Sequence, residues 1–442
     1  MMRKVSKMAT VFAMIAALGV GMAGCSVNTK TSGSSDDSAQ DNTSTGDEKV
    51  ITMWHIQTQD TVAKTIEDSM KRFEEANPGY KVDIVAMAND AYKTKLVTAM
   101  AAGELPDIFI HWTGGPMTSY VDADALYDLT DLMNADNYKD QFLDASIAQA
   151  TYQDKIWAVP VENVSPALLY YNKEMFKEYD LNPPTTLDEF EQVCDTLLEK
   201  DVIPIALANK TKWTGSIIYG YILDRIAGAQ AFEDGYNGEK SFTEDDYIKA
   251  AQKFQEWAEK GYFGDDFNAL DYDSGQDRNL LYNDEAGMYI MGGWFLFTAQ
   301  GEAPDYIDKI GIIQFPADTN GKGSAADYIG TIGDNFYSVA KSSKEPEMAF
   351  EAIKYLLDDT AVEERIAEGK IPPLKDIELT DDLSIAISDA AQSAEHMQLW
   401  LDQYLPNEQA EVHKDALQQL LDGSITPEEY GKMMDDTIAD LK

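Results

Sequence analysis

Cysteine, histidine and basic residues are scarce in this chain of 442 residues. Two cysteines, Cys25 and Cys194, cannot build a disulfide framework, so packing must hold the fold. Lysine and arginine number 35 against 78 aspartates and glutamates, a formal net charge of −43. A surface this acidic repels phosphate backbones and anionic headgroups, which argues against a nucleic-acid partner and for simple solubility. Long apolar runs are missing too: Met8–Val20 is shorter than the about 20 residues that a membrane-spanning helix needs. Phosphate-cradling glycine loops, GxSxG elbows and CxxC pairs are absent. Asp271–Asp277 (DYDSGQD) starts like a calcium loop but has Gln276 where glycine is needed and Tyr282 where a glutamate is needed. No metal and no cofactor are expected.

What is present begins at the N-terminus. Arg3, Lys4 and Lys7 precede the apolar run, and Met22-Ala23-Gly24 leads into Cys25. A basic start, a short apolar stretch and small residues before a cleavage point form a secretory signal over residues 1–24. With its cysteine directly after small residues, the segment resembles a bacterial lipoprotein signal. That resemblance implies that Cys25 is acylated, typically with palmitate, and becomes the first mature residue. Cys194 then stands alone, as a buried, inert thiol on a helical pattern with Leu187, Phe190, Val193 and Leu197. Ser26–Glu48 is Ser, Thr, Asp, Asn and Gly-rich and cannot bury enough apolar surface to fold. Residues 25–48 are therefore expected to be a lipidated cysteine plus flexible leash, with a reach of roughly 25–30 Å.

The body from Lys49 onward exceeds the about 250–300 residues at which a single core stops growing, so two lobes are expected. Val50–Ile56, Lys81–Ala86 and Pro106–His111 read as strands, separated by helices starting at Asp60 or Thr61 and at Tyr92. This alternation argues for a parallel α/β sheet. Further strands are expected at Tyr152–Val161, Ala167–Tyr171, Val202–Ala206, Gly287–Met291, Ile310–Phe315 and Asn335–Ala340. Helices are expected after Thr186, over Thr214–Ala227, Glu244–Glu259 and Glu347–Leu357, and through the remainder, the last one capped at Thr426 with Pro427 in its first turn.

Ligands in open α/β sheets bind beyond the carboxyl ends of strands. The residues there are Trp54, His55, Gln57 and Asp60 after the first strand, and His111 and Trp112 with Thr113-Gly114-Gly115 after the third. Glu162 and Asn163 follow the Tyr152–Val161 segment, and Trp294 follows Gly292-Gly293. Aromatic rings and planar carboxylate and amide groups at such positions suit a ligand with apolar faces and hydroxyl-bearing edges. Trp157 and Trp257 fit strand and helix cores instead. His55 and His111 follow neighbouring strands, where hydrogen bonding or packing explains them without a metal.

Several segments together resemble family 1 of the bacterial extracellular solute-binding proteins, the sugar-binding subunits of ABC importers, similar in plan to maltose-binding protein. They are FEEANPGYKV (Phe73–Val82), AAGELPDIFIHWTGG (Ala101–Gly115), IWAVPVENVSPALLYYNKEMF (Ile156–Phe176), PPTTLDEF (Pro183–Phe190), KWTGS (Lys212–Ser216), AGMYIMGGW (Ala286–Trp294), SKEPEMAFEAIKYL (Ser343–Leu356) and DGSITPEE (Asp422–Glu429). The resemblance implies an α/β fold of the type II periplasmic-binding-protein kind, two lobes around a ligand cleft joined by three hinge crossings. By order these crossings fall near Pro160–Asn163, Phe315–Asp318 and Asp358–Val362. The N-terminal lobe would hold 49–161 and 317–360, and the C-terminal lobe 162–316 and 361–442. Matched positions add Trp213, Asp334 and Trp400 to the ligand-binding candidates and make Trp294 the stacking residue. The implied function is a non-enzymatic receptor, monomeric and lipid-anchored on the outer face of the cell membrane. It would capture a sugar, an oligosaccharide, and deliver it by hinge closure to the permease subunits of an ABC importer. A surface glycoside hydrolase with two carboxylates across the cleft, or the same fold binding a peptide or polyamine, stand as alternatives.

Overall fold

The computed structural model describes Glu48–Leu441; the signal segment, Cys25 and nearly all of the leash lie outside the described residues. Two hydrophobic cores, each with its own sheet, make two lobes. In the first lobe β1 (Lys49–His55) pairs in parallel with β2 (Tyr80–Ala86) and with β3 (Ile108–His111). Helix α1 (Asp60–Ala76) connects β1 to β2 and buries Val62, Ile66, Met70 and Phe73. Helix α2 (Asn89–Ala102) connects β2 to β3 and ends at Gly103 in the left-handed region. A short hairpin, β4 (Thr151–Tyr152) with β5 (Lys155–Ile156), precedes β6 (Val159–Pro160).

The chain then enters the second lobe with β7 (Val164–Asn172), its longest strand. β7 pairs antiparallel with β9 (Ala286–Gly292), β10 (Ile310–Ile313) and β11 (Asp327–Ile332), and β9 pairs in parallel with β8 (Ile203–Ala206). β12 (Phe336–Val339) returns to the first sheet, antiparallel to β3 and β6. β13 (His396–Gln398) adds to the second sheet, parallel to β11.

Two expected crossings move. Residues 327–332, expected in the first lobe, form β11 in the second-lobe sheet, so the chain crosses at Gly333–Asn335 rather than near Phe315–Asp318. The helix Asp359–Ala367 packs on α1 of the first lobe, and Ile371 is the next residue in the second core. The third crossing therefore lies at 368–370, beyond Asp358–Val362. The first passage runs through Val161–Asn163, between β6 and β7.

A buried charge cluster joins these passages. Glu162 accepts from Arg365 at 3.0 Å, from Lys370 at 2.8 Å and from the Tyr337 hydroxyl at 3.1 Å. Burial opposes its ionisation, but Arg365 and Lys370 win and hold its pKa down at about 2. The Asn163 side chain accepts from the Ile371 N–H, and its carbonyl accepts from Gly333 N–H at 3.1 Å.

Candidate functional site

The two lobes enclose a cleft with a cavity of about 190 Å³. Of the sequence candidates, Gln57, Trp112, Trp213, Trp294, Asp334 and Trp400 line it. Each arrives from a different element end. Gln57 follows β1, where its backbone N–H is held at 3.1 Å by Nδ1 of the buried His55. Trp112 follows β3 and meets Tyr92 of α2 edge-on at 6.2 Å. Asp334 lies on the second crossing, between Gly333 and Asn335.

The second lobe supplies a continuous aromatic wall. Trp213 opens the helix Trp213–Ala227, whose start is fixed by Asn209 accepting from Gly215 N–H at 3.1 Å. Its ring lies 4.6 Å from Tyr272 and 6.1 Å from Trp294, and Trp294 lies 5.3 Å from Trp400. The Trp294 indole donates to the Tyr272 hydroxyl at 2.9 Å. A side chain at residue 292 would put a Cβ 2.2 Å from the Trp294 ring, so glycine there lets the ring fold back against the strand end. Arg278 braces the wall: it pairs with both Glu302 oxygens at 2.8 Å and donates to the Tyr272 carbonyl at 3.1 Å.

Four side-chain atoms of lining residues are buried with no hydrogen-bond partner among the described residues: Nε1 of Trp213, Nε1 of Trp400, Oε1 of Gln59 and Oε1 of Gln403. Such groups cost about 1–3 kcal/mol each when left unsatisfied, so the cleft favours a ligand that offers both acceptors and donors. Burial pushes the Asp334 carboxyl up to about 7, with Glu162 adding and Lys370 and Lys93 opposing. Near neutral pH it both accepts and donates.

The other candidates lie elsewhere. The pleat of β1 places Trp54 opposite the buried Met53 and His55, against the Lys95 ammonium at 4.0 Å. His55 is buried, its pKa lowered to about 4 by burial, and acts on the loop backbone rather than on the cleft. Asp60 is exposed at the first position of α1. Glu162 and Asn163 are consumed by the crossings, because buried backbone and cations there need their oxygens. His111 bonds to Ser338 at 2.6 Å and to the Trp112 carbonyl at 3.0 Å. The carboxylates of the DYDSGQD stretch diverge to Lys210, Asp90 and Tyr289.

Sequence reasoning missed Lys93, Tyr272, Asp273, Asn335 and Gln403, all of which line the cleft. Tyr272 and Asp273 sat inside the motif tested only for calcium. Asp273 reaches across the cleft and accepts from Asp90 N–H, in the first turn of α2, at 3.0 Å.

Two α/β lobes that close around one cleft, with the chain passing between them at the cleft floor, are the plan of the type II periplasmic binding proteins. This chain belongs to the bacterial extracellular solute-binding protein family, whose model matches residues 58–363. An uncharacterized ABC transporter extracellular-binding protein of Pyrococcus horikoshii is 28% identical over 254 residues, a match that spans 56% of each chain. A multiple sugar-binding protein of Streptococcus mutans is 25% identical over 324 residues, 72% of this chain and 73% of that one. A solved structure from a study of xylan utilization by the thermophilic bacterium Caldanaerobius polysaccharolyticus superposes with a TM-score of 0.81 at 32% identity, covering 88% of this chain and 99% of that one. No helix among the described residues is long and apolar enough to cross a membrane.

Proposed function

We propose that this protein is an extracellular receptor, tethered through an acylated Cys25, that captures an oligosaccharide between its lobes and delivers it to the permease of an ABC importer. The observation that carries this reading is a cleft lined by Trp112, Trp213, Trp294 and Trp400 whose lining residues Trp213, Trp400, Gln59 and Gln403 also hold buried, unpartnered polar atoms. Sugar C–H faces cover indole rings, while hydroxyl edges satisfy indole N–H and amide oxygen together. The sugar-binding relative and the neighbour from a xylan-utilization study support the same class. Gln57, Trp112, Trp213, Trp294, Asp334 and Trp400 are the assigned contacts. A solute that touches both lobes binds the closed state better and shifts the population toward it. The lobes and crossings are those of the fold described above, and the receptor works as a monomer with no cofactor and no chemical step of its own.

The test is a thermal-shift and calorimetry panel of xylo-, gluco-, galacto- and chito-oligosaccharides. At least one should stabilise the protein, by about 2.7 kcal/mol at 100 times its Kd. It should be recovered intact after long incubation; cleavage products would establish the hydrolase instead. Stabilisation by putrescine or peptides with no response to any sugar would refute the substrate class. For the tether, Cys25→Ser should move the protein from the membrane fraction to the medium; retention on the membrane would remove Cys25 as the anchor.

A further inference from the structure

Lys93 projects into the cleft from the start of the second turn of α2, although no pattern in the sequence marks it. Its ammonium lies 4.5 Å from the centroid of the Trp112 ring and 5.6 Å from that of Trp213. Trp112 belongs to the first lobe and Trp213 to the second, so one cation spans two aromatic faces across the cleft. Lys93 makes no ion pair among the described residues; the carboxylates that act on it, Asp402 first and then Asp90 and Asp273, do so at longer range. The neighbouring bond from Asp90 N–H to the Asp273 carboxylate also crosses between the lobes. The first two turns of α2 thus grip the opposite lobe twice, through Asp90 and Lys93, and one of the two grips covers the ring faces on which a sugar would stack.

We propose that Lys93 is a built-in competitor: the sugar-free receptor closes on its ammonium, and an incoming sugar ring displaces that ammonium from between Trp112 and Trp213. This rests on the sugar-receptor reading above. Lys93 then sets the threshold for capture. A ring that covers both indoles and hydrogen-bonds Asp334 or Gln403 wins the slot. A ligand that engages only one wall does not.

Two variants separate this role from a direct contact with sugar. Lys93→Met keeps the length and the apolar stem but removes the charge; Lys93→Arg keeps the cation. Fluorophores on Val97→Cys and Glu239→Cys, exposed positions on the two lobes, report the interlobe distance without sugar. Calorimetry with xylotriose as the probe reports affinity. Without sugar, Lys93→Met should lengthen the mean interlobe distance, while Lys93→Arg should leave it near wild type. Where wild type binds xylotriose, Lys93→Met should tighten it about threefold or more, as loss of a competing cation–π contact of modest strength implies. An unchanged sugar-free distance, or weaker xylotriose binding by Lys93→Met, overturns the proposal. If wild type binds no sugar of the panel, the sugar reading fails on its own, and the sugar-free distance alone decides whether Lys93 clasps the lobes.

Discussion

Trp294 owes its position to what its neighbour lacks: only a glycine at 292 leaves room for the ring to fold back, onto Trp213 and Trp400. Trp294→Ala should therefore weaken oligosaccharide binding at least tenfold, about 1.4 kcal/mol, by calorimetry; unchanged affinity would take it off the wall. Asp334 makes a pH prediction. Its carboxyl is raised to about 7, so its contribution to stability is full below the unfolded value of about 3.8 and is lost as pH rises through about 7. Urea unfolding of Asp334→Asn at pH 5 and pH 8 should show the variant gaining on wild type at the higher pH. A pH-independent difference would mean that the carboxyl ionises normally. At this scale the sequence was readable where a side chain follows a strand and points out, as with Trp112 and Trp294. It misled where the same position is taken over by backbone, as with Asn163 and Ile371. Lys93 escaped because nothing in a helical pattern tells which exposed lysine faces another lobe.

Elements explain how the walls approach each other. Helix α3 (Gly115–Asp122) starts against the chain at Leu405, where a Cβ on residue 115 would sit 2.0 Å from the Leu405 carbonyl oxygen. Leu405 belongs to the second core and Trp112 to the first, so this contact lies between the lobes. Gly115→Ala should hold the lobes apart, leaving each core intact. Affinity should fall at least tenfold, and small-angle scattering with saturating sugar should show a larger radius than wild type; a wild-type radius and affinity would refute it. Most elements were legible because periodicity and caps are local. The boxes at Thr186–Glu189 and Thr426–Glu429 close as their spacing demands. β11 and β13 were not legible: one is defined by pairing with β7, far away in sequence, and the other has three residues.

The whole molecule turns on residues that touch no ligand. Glu162 faces two buried cations, and Glu162→Gln would remove the ion-pair partner of both Arg365 and Lys370, leaving only the more distant Glu368. Removing one member of a buried ion cluster costs about 3–5 kcal/mol, so urea unfolding should lose about 3 kcal/mol; a loss under about 1 kcal/mol would show the cluster to be dispensable. The two-lobed plan was legible from length and the strand–helix alternation. Two of the crossings were not, because a crossing is defined by which core the next side chain joins, and matching the order of family segments does not reveal that. One consequence concerns timing. Rotation about the crossings displaces atoms in proportion to their distance from the axis, and Asp334 stands on a crossing while the indoles stand on the moving lobes. In any motion about the crossings the floor therefore keeps its shape, while the opposed rings, bridged by Lys93 before sugar arrives, separate and meet again. Exchange of the Lys93 ammonium for a sugar would then begin at the hydroxyl-recognising floor and finish at the rings, so that the floor governs arrival and the rings govern residence time.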